Sequence, residues 1–315
     1  MGMAKRKYSS KSNKIEPSVQ TLTFVTPATT GGNVGQHTID LSQVACLVNR
    51  RFYRQGINWA VAGIKIFTAT QGSVSVQKLQ NTWVTSNAWE KAFRKWNKQQ
   101  MDAVEAMGAE SAVAKFRDFK IHMDATHVTA GFGANLLPVD STLTPILPGE
   151  WEPSQVVIPN DGAPGVTNEY FVQMNGASSA AAKSIIGGYK FSRSYPQSPD
   201  PVSPAVETSW LNRMFDVGDD NDDVLDNATD RNDELPYDQI AYPGEAANFD
   251  GLQIHDQSSI TGTTIGGTTY LKGGNFPCGL VRIQHNPLET SNLVIQIDLV
   301  PGSHRGYLCE PMTEM

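Results

Sequence analysis

The sequence predicts an all-β antiparallel sandwich carrying one inserted helix. Three observations point there. Charged residues make up only 18% of the 315 residues, while glycines number 27, a mix that suits short strands and tight turns better than helices. Runs rich in Val, Ile, Thr and aromatic residues recur with an apolar–polar alternation of period two. One segment alone has a helical period, and strand-like and helix-like segments nowhere alternate as they do in α/β proteins.

Taken in order, Thr21–Val25 alternates as a first strand and Thr29–Gly35 reads as a turn. A short segment, Thr38–Leu41, leads to a compact stretch ending in Asn49-Arg50-Arg51-Phe52-Tyr53-Arg54. Ile57–Thr68 is the clearest strand, and Ser73–Val84 is expected to pair with it across Gln71-Gly72. The helix follows. Ser86 or Asn87 can cap it, and Glu90 falls in the first turn, where the dipole favours an anion. Trp89, Phe93, Trp96 and Gln100 recur at three- and four-residue spacing. Gly108 is expected to end it, with a second short helix through Lys115. Phe119–Met123, Glu169–Met174, Ile185–Ser194, Gly279–Gln284 and Leu293–Leu299 are further strand candidates. Gly187-Gly188, Gly266-Gly267 and Gly273-Gly274 read as turn glycines rather than phosphate loops, since no helix start follows them. Long proline-containing loops span 137–164, 195–208 and 216–250, and loops of this length are usually functional or displayed. Many strands, long loops and one helix describe a sandwich or jelly roll. The expected organisation is one domain over 17–315, with long surface loops at 137–164 and 195–250, behind a polar arm at 1–16 expected to be disordered.

Charge is unevenly spread. The net charge is −7, yet residues 1–15 hold Lys5, Arg6, Lys7, Lys11 and Lys14 and no acid. A basic tail on an acidic body is the asymmetry of a nucleic-acid-binding arm. Two further basic patches are candidates for the same work. Arg50, Arg51 and Arg54 interleave with Phe52 and Tyr53, and aromatics beside arginines can stack on unpaired bases. The helix carries Lys91, Arg94, Lys95 and Lys98 on its polar face, where they can neutralise phosphates.

Other chemistry is sparse. Cys46, Cys278 and Cys309 are too far apart for a disulfide framework or a metal spacing, which predicts folding in a reducing compartment. No apolar run is long enough for a membrane span. His122 and His127 would face opposite ways on a strand, so zinc is not expected. No Gly-x-Ser-x-Gly, Walker or Gly-x-Gly-x-x-Gly motif occurs, and a non-enzymatic protein is expected. The segment Asp216–Glu234 holds nine carboxylates against Arg231 alone. Within it Asp219-x-Asn221-x-Asp223 has the spacing of a calcium loop, but Val224 stands where glycine is wanted and Asp230 where glutamate is. A solvated exterior loop is the leading reading there and calcium the lesser one.

Three stretches carry a resemblance. They are Asn81–Lys91 leading into the helix, Gly273–Ile283 (Gly-Gly-Asn-Phe-Pro-Cys-Gly-Leu-Val-Arg-Ile), and Leu299–Tyr307 (Leu-Val-Pro-Gly-Ser-His-Arg-Gly-Tyr). With the Lys-Arg-Lys start they resemble capsid proteins of small circular Rep-encoding single-stranded DNA (CRESS-DNA) viruses, near the smacovirus-like and unclassified environmental groups. The resemblance implies a single eight-stranded jelly-roll subunit in a small icosahedral virion, about 60 copies or a multiple. It implies single-stranded DNA against the inner face, a host receptor on the outer face and assembly in the host nucleus. The arm departs from the circovirus type, which is much longer and arginine-rich. Arms of +5 in about 60 copies supply roughly 300 charges, against about 945 phosphates for this gene alone. An inner wall that includes Arg50, Arg51, Arg54 and the helix lysines is therefore expected to contribute. The rival expectations are a nodavirus- or tombusvirus-like coat packaging RNA, and a carbohydrate-binding or adhesive sandwich that stacks sugars on Trp151, Tyr237 and Tyr242.

Overall fold

The computed structural model describes residues 18–109, 111, 113, 116–159, 165–194, 242–246, 251–263 and 267–315. The chain is predominantly β. It begins with β1 (Thr21–Val25), β2 (Gly35–Asp40), α1 (Leu41–Asn49), β3 (Ile57–Phe67) and β4 (Gly72–Lys78). There follow α2 (Trp83–Ala106), α3 (Ala125–Ala130), β5 (Gln155–Pro159), β6 (Thr167–Gln173), β7 (Ala182–Ser184) and α4 (Ile185–Ser194). The chain closes with β8 (Gln253–Ile260), β9 (Thr268–Phe276), β10 (Leu280–Pro287), β11 (Val294–Leu299), β12 (Pro301–Gly302), β13 (Gly306–Tyr307) and β14 (Cys309–Pro311).

Two antiparallel sheets form the frame. One runs β1-β11-β3, with β9 along the opposite edge of β3 and β14 prolonging the β11 side. The other runs β2-β10-β4-β8. Alternation along each strand aims one row inward: Ile64 and Ile66 from β3, Ile295 and Ile297 from β11, Val74 and Val76 from β4, Val281 and Ile283 from β10. These meet in a single apolar core, which is the main driving force for the fold. At one end the short connections bond to one another, through Thr29 N to Ser291 O (2.8 Å) and Leu288 N to Gln71 O (2.9 Å). The opposite end carries α1, the turn Pro277–Gly279, β14 and, from the long insertion between β4 and β8, α2, α4 and the β5-β6-β7 sheet, while Pro138 and Val139 of that insertion lie along β1 beside Phe24 and Thr23. That long insertion builds a second core from Leu79, Val84, Trp89, Trp96, Phe119 and Met174, closed by Cys278, Leu280 and Met312.

Several expectations need correction. β3 and β4 do not pair. Both edges of β3 are filled by β11 and β9, and β4 lies between β10 and β8 in the other sheet. Alternation looks the same whether the next strand is a neighbour in the sheet or faces it across the core. The compact stretch before Arg50 is a helix, α1, capped by Asp40, whose side chain accepts from the backbone N–H groups of Ser42 and Gln43. Helix α2 starts at Trp83 under a Thr82 cap, so Ser86 and Asn87 lie inside it and Glu90 is past the first turn. Ser86 instead donates to the carbonyl of Met312. α2 ends at Ala106, with Gly108 at φ 61° just beyond.

Ile185–Ser194 is helix α4 rather than a strand, burying Ile185 and Ile186 with Tyr189 packed against the same core. Phe119–Met123 is extended but belongs to no ladder. Side chains take the N–H groups of Lys120 (Ser154 Oγ, 3.0 Å) and Ile121 (Gln55 Oε1, 2.6 Å), while His122 makes one isolated parallel bridge to Gln173 of β6, its N–H donating to the Val172 carbonyl (2.8 Å). Gly273 and Gly274 lie within β9, where a Cβ at Gly273 would come within 2.3 Å of the Val61 and Ala62 carbonyl oxygens. Gly187 and Gly188 lie within α4. Strands β8 and β9 were missed, because β8 is exposed along most of its length and offers no alternation to read. Trp151 is only 8% exposed and Tyr242 is fully buried, so neither is displayed for sugar stacking. Tyr237 lies outside the described residues, as do 1–17 and 195–241.

The expected loop 137–164 contains strand β5 at Gln155–Pro159, and Trp151 is buried because the segment before β5 folds back onto the frame and gives its indole N–H to Asp40 Oδ2 (2.9 Å). The same oxygen accepts from Gln55 Nε2 (3.0 Å). Asp40 thus receives four donors, and burial still pushes its carboxyl up to about 6. Asp40→Ala would orphan all four at once and is expected to destabilise by about 3–5 kcal/mol, since buried donors left without partners lose their full solvation. Chemical denaturation of the purified chain measures it; a loss below about 1 kcal/mol would show that water replaces the carboxylate.

Candidate nucleic-acid interface

The αL conformation of Arg50 (φ 54°) ends α1 and sends the chain across the end of the sandwich. Tyr53 points inward and is fully buried, its hydroxyl donating to the carbonyl of Arg305 (3.0 Å). Arg51, Phe52 and Arg54 remain at the surface and line a cleft of about 960 Å³. The opposing wall is the aromatic face of α2, where Trp89 and Phe93 stack with ring centroids 5.1 Å apart. Phe116 and Arg117 form a third side and Arg305 a fourth.

The geometry is that of cations laid on rings. The Arg54 guanidinium sits over Phe52 (5.4 Å) and that of Arg117 over Trp96 (5.3 Å). Phe52 and Phe116 lie 5.2 Å apart, and Phe116 is 60% exposed. Arg117 also hydrogen-bonds Asn97, and Arg305, held at φ 52°, donates to the carbonyl of Phe52. Two acids line the cleft, and both are engaged by the protein. Asp118 is buried, which raises its carboxyl, and it accepts from the N–H groups of Gln55 and Phe119 with Arg54 3.7 Å away. Glu310 accepts from Asn58 (2.8 Å). The cleft therefore combines exposed arginines with an exposed aromatic edge, the pairing that holds unpaired nucleotides by phosphate contact and stacking.

The expected residues divide as follows. Lys5, Arg6, Lys7, Lys11 and Lys14 lie outside the described residues. Arg51 and Arg54 enter the cleft; Arg50 is exposed beside it. Lys91, Lys95 and Lys98 line a separate cleft on the other flank of α2. Arg94 lines neither and forms an ion pair with Glu90 one turn away. Tyr53 is buried and cannot stack on a base. Phe116, Arg117 and Arg305 were missed, although Phe116-Arg117 repeats the aromatic–arginine adjacency that marked residues 50–54, and Arg305 lies within the third resembling stretch. Asp219, Asn221 and Asp223 fall outside the described residues. Among the described residues no cluster of three or more His, Cys, Asp or Glu could hold a metal.

His122 and His127 do not diverge. Because residues 119–123 join no ladder and α3 turns the chain back, the two rings approach to 4.9 Å. His127 Nδ1 accepts from Met123 N (3.1 Å), so its proton is on Nε2, facing Asn135 Oδ1 (2.9 Å). Burial depresses both imidazoles, His122 to about 4 and His127 to about 3. Comparison of the chain with protein-family models, with curated proteins and with solved structures returned no match.

Acid sensitivity follows from this pair. Below pH 6.5 the unfolded chain binds protons on both rings that the folded chain refuses, so stability present at neutral pH is lost as pH falls toward 4 and then 3. Asp40 works in the opposite sense between about 6 and 3.8, since the folded chain binds that proton first. Among the described residues neither ring nitrogen of His122 has a hydrogen-bond partner of ordinary geometry, so His122→Leu leaves no described group unpaired. The variant is expected to recover about 2 kcal/mol of the stability that the wild type loses between pH 7 and pH 4.5. Parallel losses in the two proteins would assign the acid sensitivity elsewhere.

Proposed function

We propose that this chain is the coat protein of a small virus, a non-enzymatic jelly-roll subunit that assembles into an icosahedral shell around single-stranded DNA. The strand order carries the reading. Leaving aside the three-residue β14, one sheet reads β1-β11-β3-β9 and the other β2-β10-β4-β8. In order along the chain those eight strands are first, eighth, third and sixth facing second, seventh, fourth and fifth. That is the order obtained by rolling one long hairpin through two Greek keys, the jelly-roll wind of capsid and lectin domains.

The cleft supports the choice of capsid over lectin. It offers arginines and aromatic edges to a strand with unpaired bases, and the sugar-stacking side chains Trp151 and Tyr242 are buried. It also answers the charge shortfall of the N-terminal arm, because it adds Arg51, Arg54, Arg117 and Arg305 from the subunit wall. The resemblance noted in the sequence is what favours DNA over RNA, and the reading it supports is a virion of tens of copies, with a receptor outside and nucleic acid within.

Expression of the full chain followed by negative-stain microscopy is expected to give closed shells containing nuclease-protected nucleic acid, digestible by DNase after opening. A stable monomer with no particles at any concentration would overturn the proposal. Deleting residues 1–15 is expected to lower packaging without abolishing it; particles wholly devoid of nucleic acid would assign all packaging to the arm. Two point variants separate the cleft's contributions. Arg117→Gln should lower the slope of log affinity for oligothymidylate against log salt by about 0.7, one phosphate contact. Phe116→Ala should weaken binding by about 1–3 kcal/mol with the slope unchanged, the loss of one stacked base. Unaltered binding in both variants would remove the cleft from the interface.

A further inference from the structure

The second cleft, of about 710 Å³, has a different chemistry. Helices α2 and α4 form its walls and the β5-β6-β7 sheet its floor, with Ala88, Ala92, Val156, Val172 and Ile185 giving an apolar interior. Its rim is basic: Lys91, Lys95 and Lys98 from α2 and Lys183 from β7, against Asp102. Lys91 reaches the Ser192 carbonyl (3.3 Å), and Lys183 lies over the Tyr170 ring (4.0 Å). Lys95 and Lys98 are exposed, and neither has an ion-pair partner among the described residues.

Gly188 adds an independent observation. It lies inside α4 and lines this cleft, yet a Cβ there would meet no atom within 4 Å. Its φ is not positive and no close backbone approach calls for glycine, although glycine weakens a helix interior relative to alanine. Gly188 is exposed where it borders the cleft, so a larger side chain there would project into open space beside it. An apolar slot of this volume with a few polar groups at one edge has the size and character of a small-molecule site.

We infer that this cleft binds a long-chain carboxylate, its apolar tail lying between α2 and α4 beside Gly188 and its anionic head held at Lys95 and Lys98. The inference does not depend on the coat-protein reading. A nucleic-acid phosphate would engage the lysines but not the half-buried Ala92 and Val156 or the exposed Ile158 that line the cleft, whereas a fatty anion would engage both.

Titration of the full chain with cis-parinarate, a fluorescent long-chain carboxylate, tests it. Saturable binding at one site per chain is expected, at least tenfold weaker for the methyl ester. Gly188→Leu fills the slot, and the double variant Lys95→Glu with Lys98→Glu reverses the rim. Each is expected to weaken binding at least tenfold with the melting temperature of the double variant unchanged. Non-saturable binding, equal affinity for the ester, or affinity unchanged in either variant overturns the inference. Displacement of parinarate by oligothymidylate also overturns it and returns the lysine face to nucleic acid.

Discussion

A single buried carboxylate, that of Asp40, joins the two cores of this molecule. It ends β2, caps α1, and receives Gln55 from the turn after α1 and Trp151 from the insertion. Gln55 continues the chain of bonds. Its amide oxygen accepts from Ile121 N, its amide nitrogen donates to Ile121 O (3.2 Å), and its backbone N–H goes to Asp118. The segment 118–123 meets a strand only at His122, which bridges β6 at Gln173, so over Asp118–Ile121 these side-chain bonds substitute for a ladder. Burying a carboxylate is unfavourable unless it is fully hydrogen-bonded, and the raised Asp40 carboxyl is the residue of that penalty. What it secures is register: the insertion can meet the sandwich in one position only.

A second buried charge repeats the device. Arg282 of β10 is 2% exposed and distributes its guanidinium over Thr38, Gln36 and Asp124. Asp124 in turn caps α3 by accepting from His127 N (2.8 Å). Both links therefore use a helix-capping aspartate as the meeting point between strand and insertion. Such pairs add little net stability over apolar packing but are strongly destabilising to break. α2 is tied separately, through Ser86 to the Met312 carbonyl, and it divides the surface into an arginine–aromatic cleft on one flank and a lysine-rimmed apolar cleft on the other.

The strands that bury a clean inward row were legible in the sequence. Thr21–Val25, Ile57–Phe67 and 294–299 alternate against a core that takes every second side chain, while the candidate Gly279–Gln284 covers only the first part of β10, where Leu280–Ile283 are buried on both faces. Strand partners were not legible, because β3 and β4 would carry the same pattern whether paired or facing. Edge strand β8 and the ladderless segment 119–123 failed for opposite reasons: one is strand without burial, the other is burial without strand. α4 was mistaken for a strand because Ile-Ile-Gly-Gly-Tyr carries β-prone residues and two glycines, and only its docking against α2 makes the three- and four-residue spacing of Ile185, Ile186 and Tyr189 decisive. Of the candidate site, Arg51 and Arg54 were found because they sit beside aromatics in sequence. Arg117 and Arg305 join them only through tertiary folding, from positions far along the chain.

The kind of cation in each cleft separates their roles. A guanidinium is planar, weakly hydrated and stacks on rings, so Arg54 over Phe52 and Arg117 over Trp96 remain pre-organised with donors still directed outward. Lysine heads would surrender hydration to make the same contact. On the other flank the ions are ammonium groups on long alkyl stems, which can lie along apolar surface while keeping the charge at the rim. Lys95 and Lys98 there border a slot lined by Ala88, Ala92, Val156, Val172 and Ile185 together with Tyr189, and it is lysines, Lys91 over Tyr189 and Lys183 over Tyr170, that meet rings on this flank. Exchanging arginine for lysine between the two flanks would remove the stacking that orients one set and the compact head that suits the other. On the two proposals, the arginines, which reach the first cleft from outside α2, suit flat, delocalised partners, and the α2 lysines suit an apolar chain with a point charge.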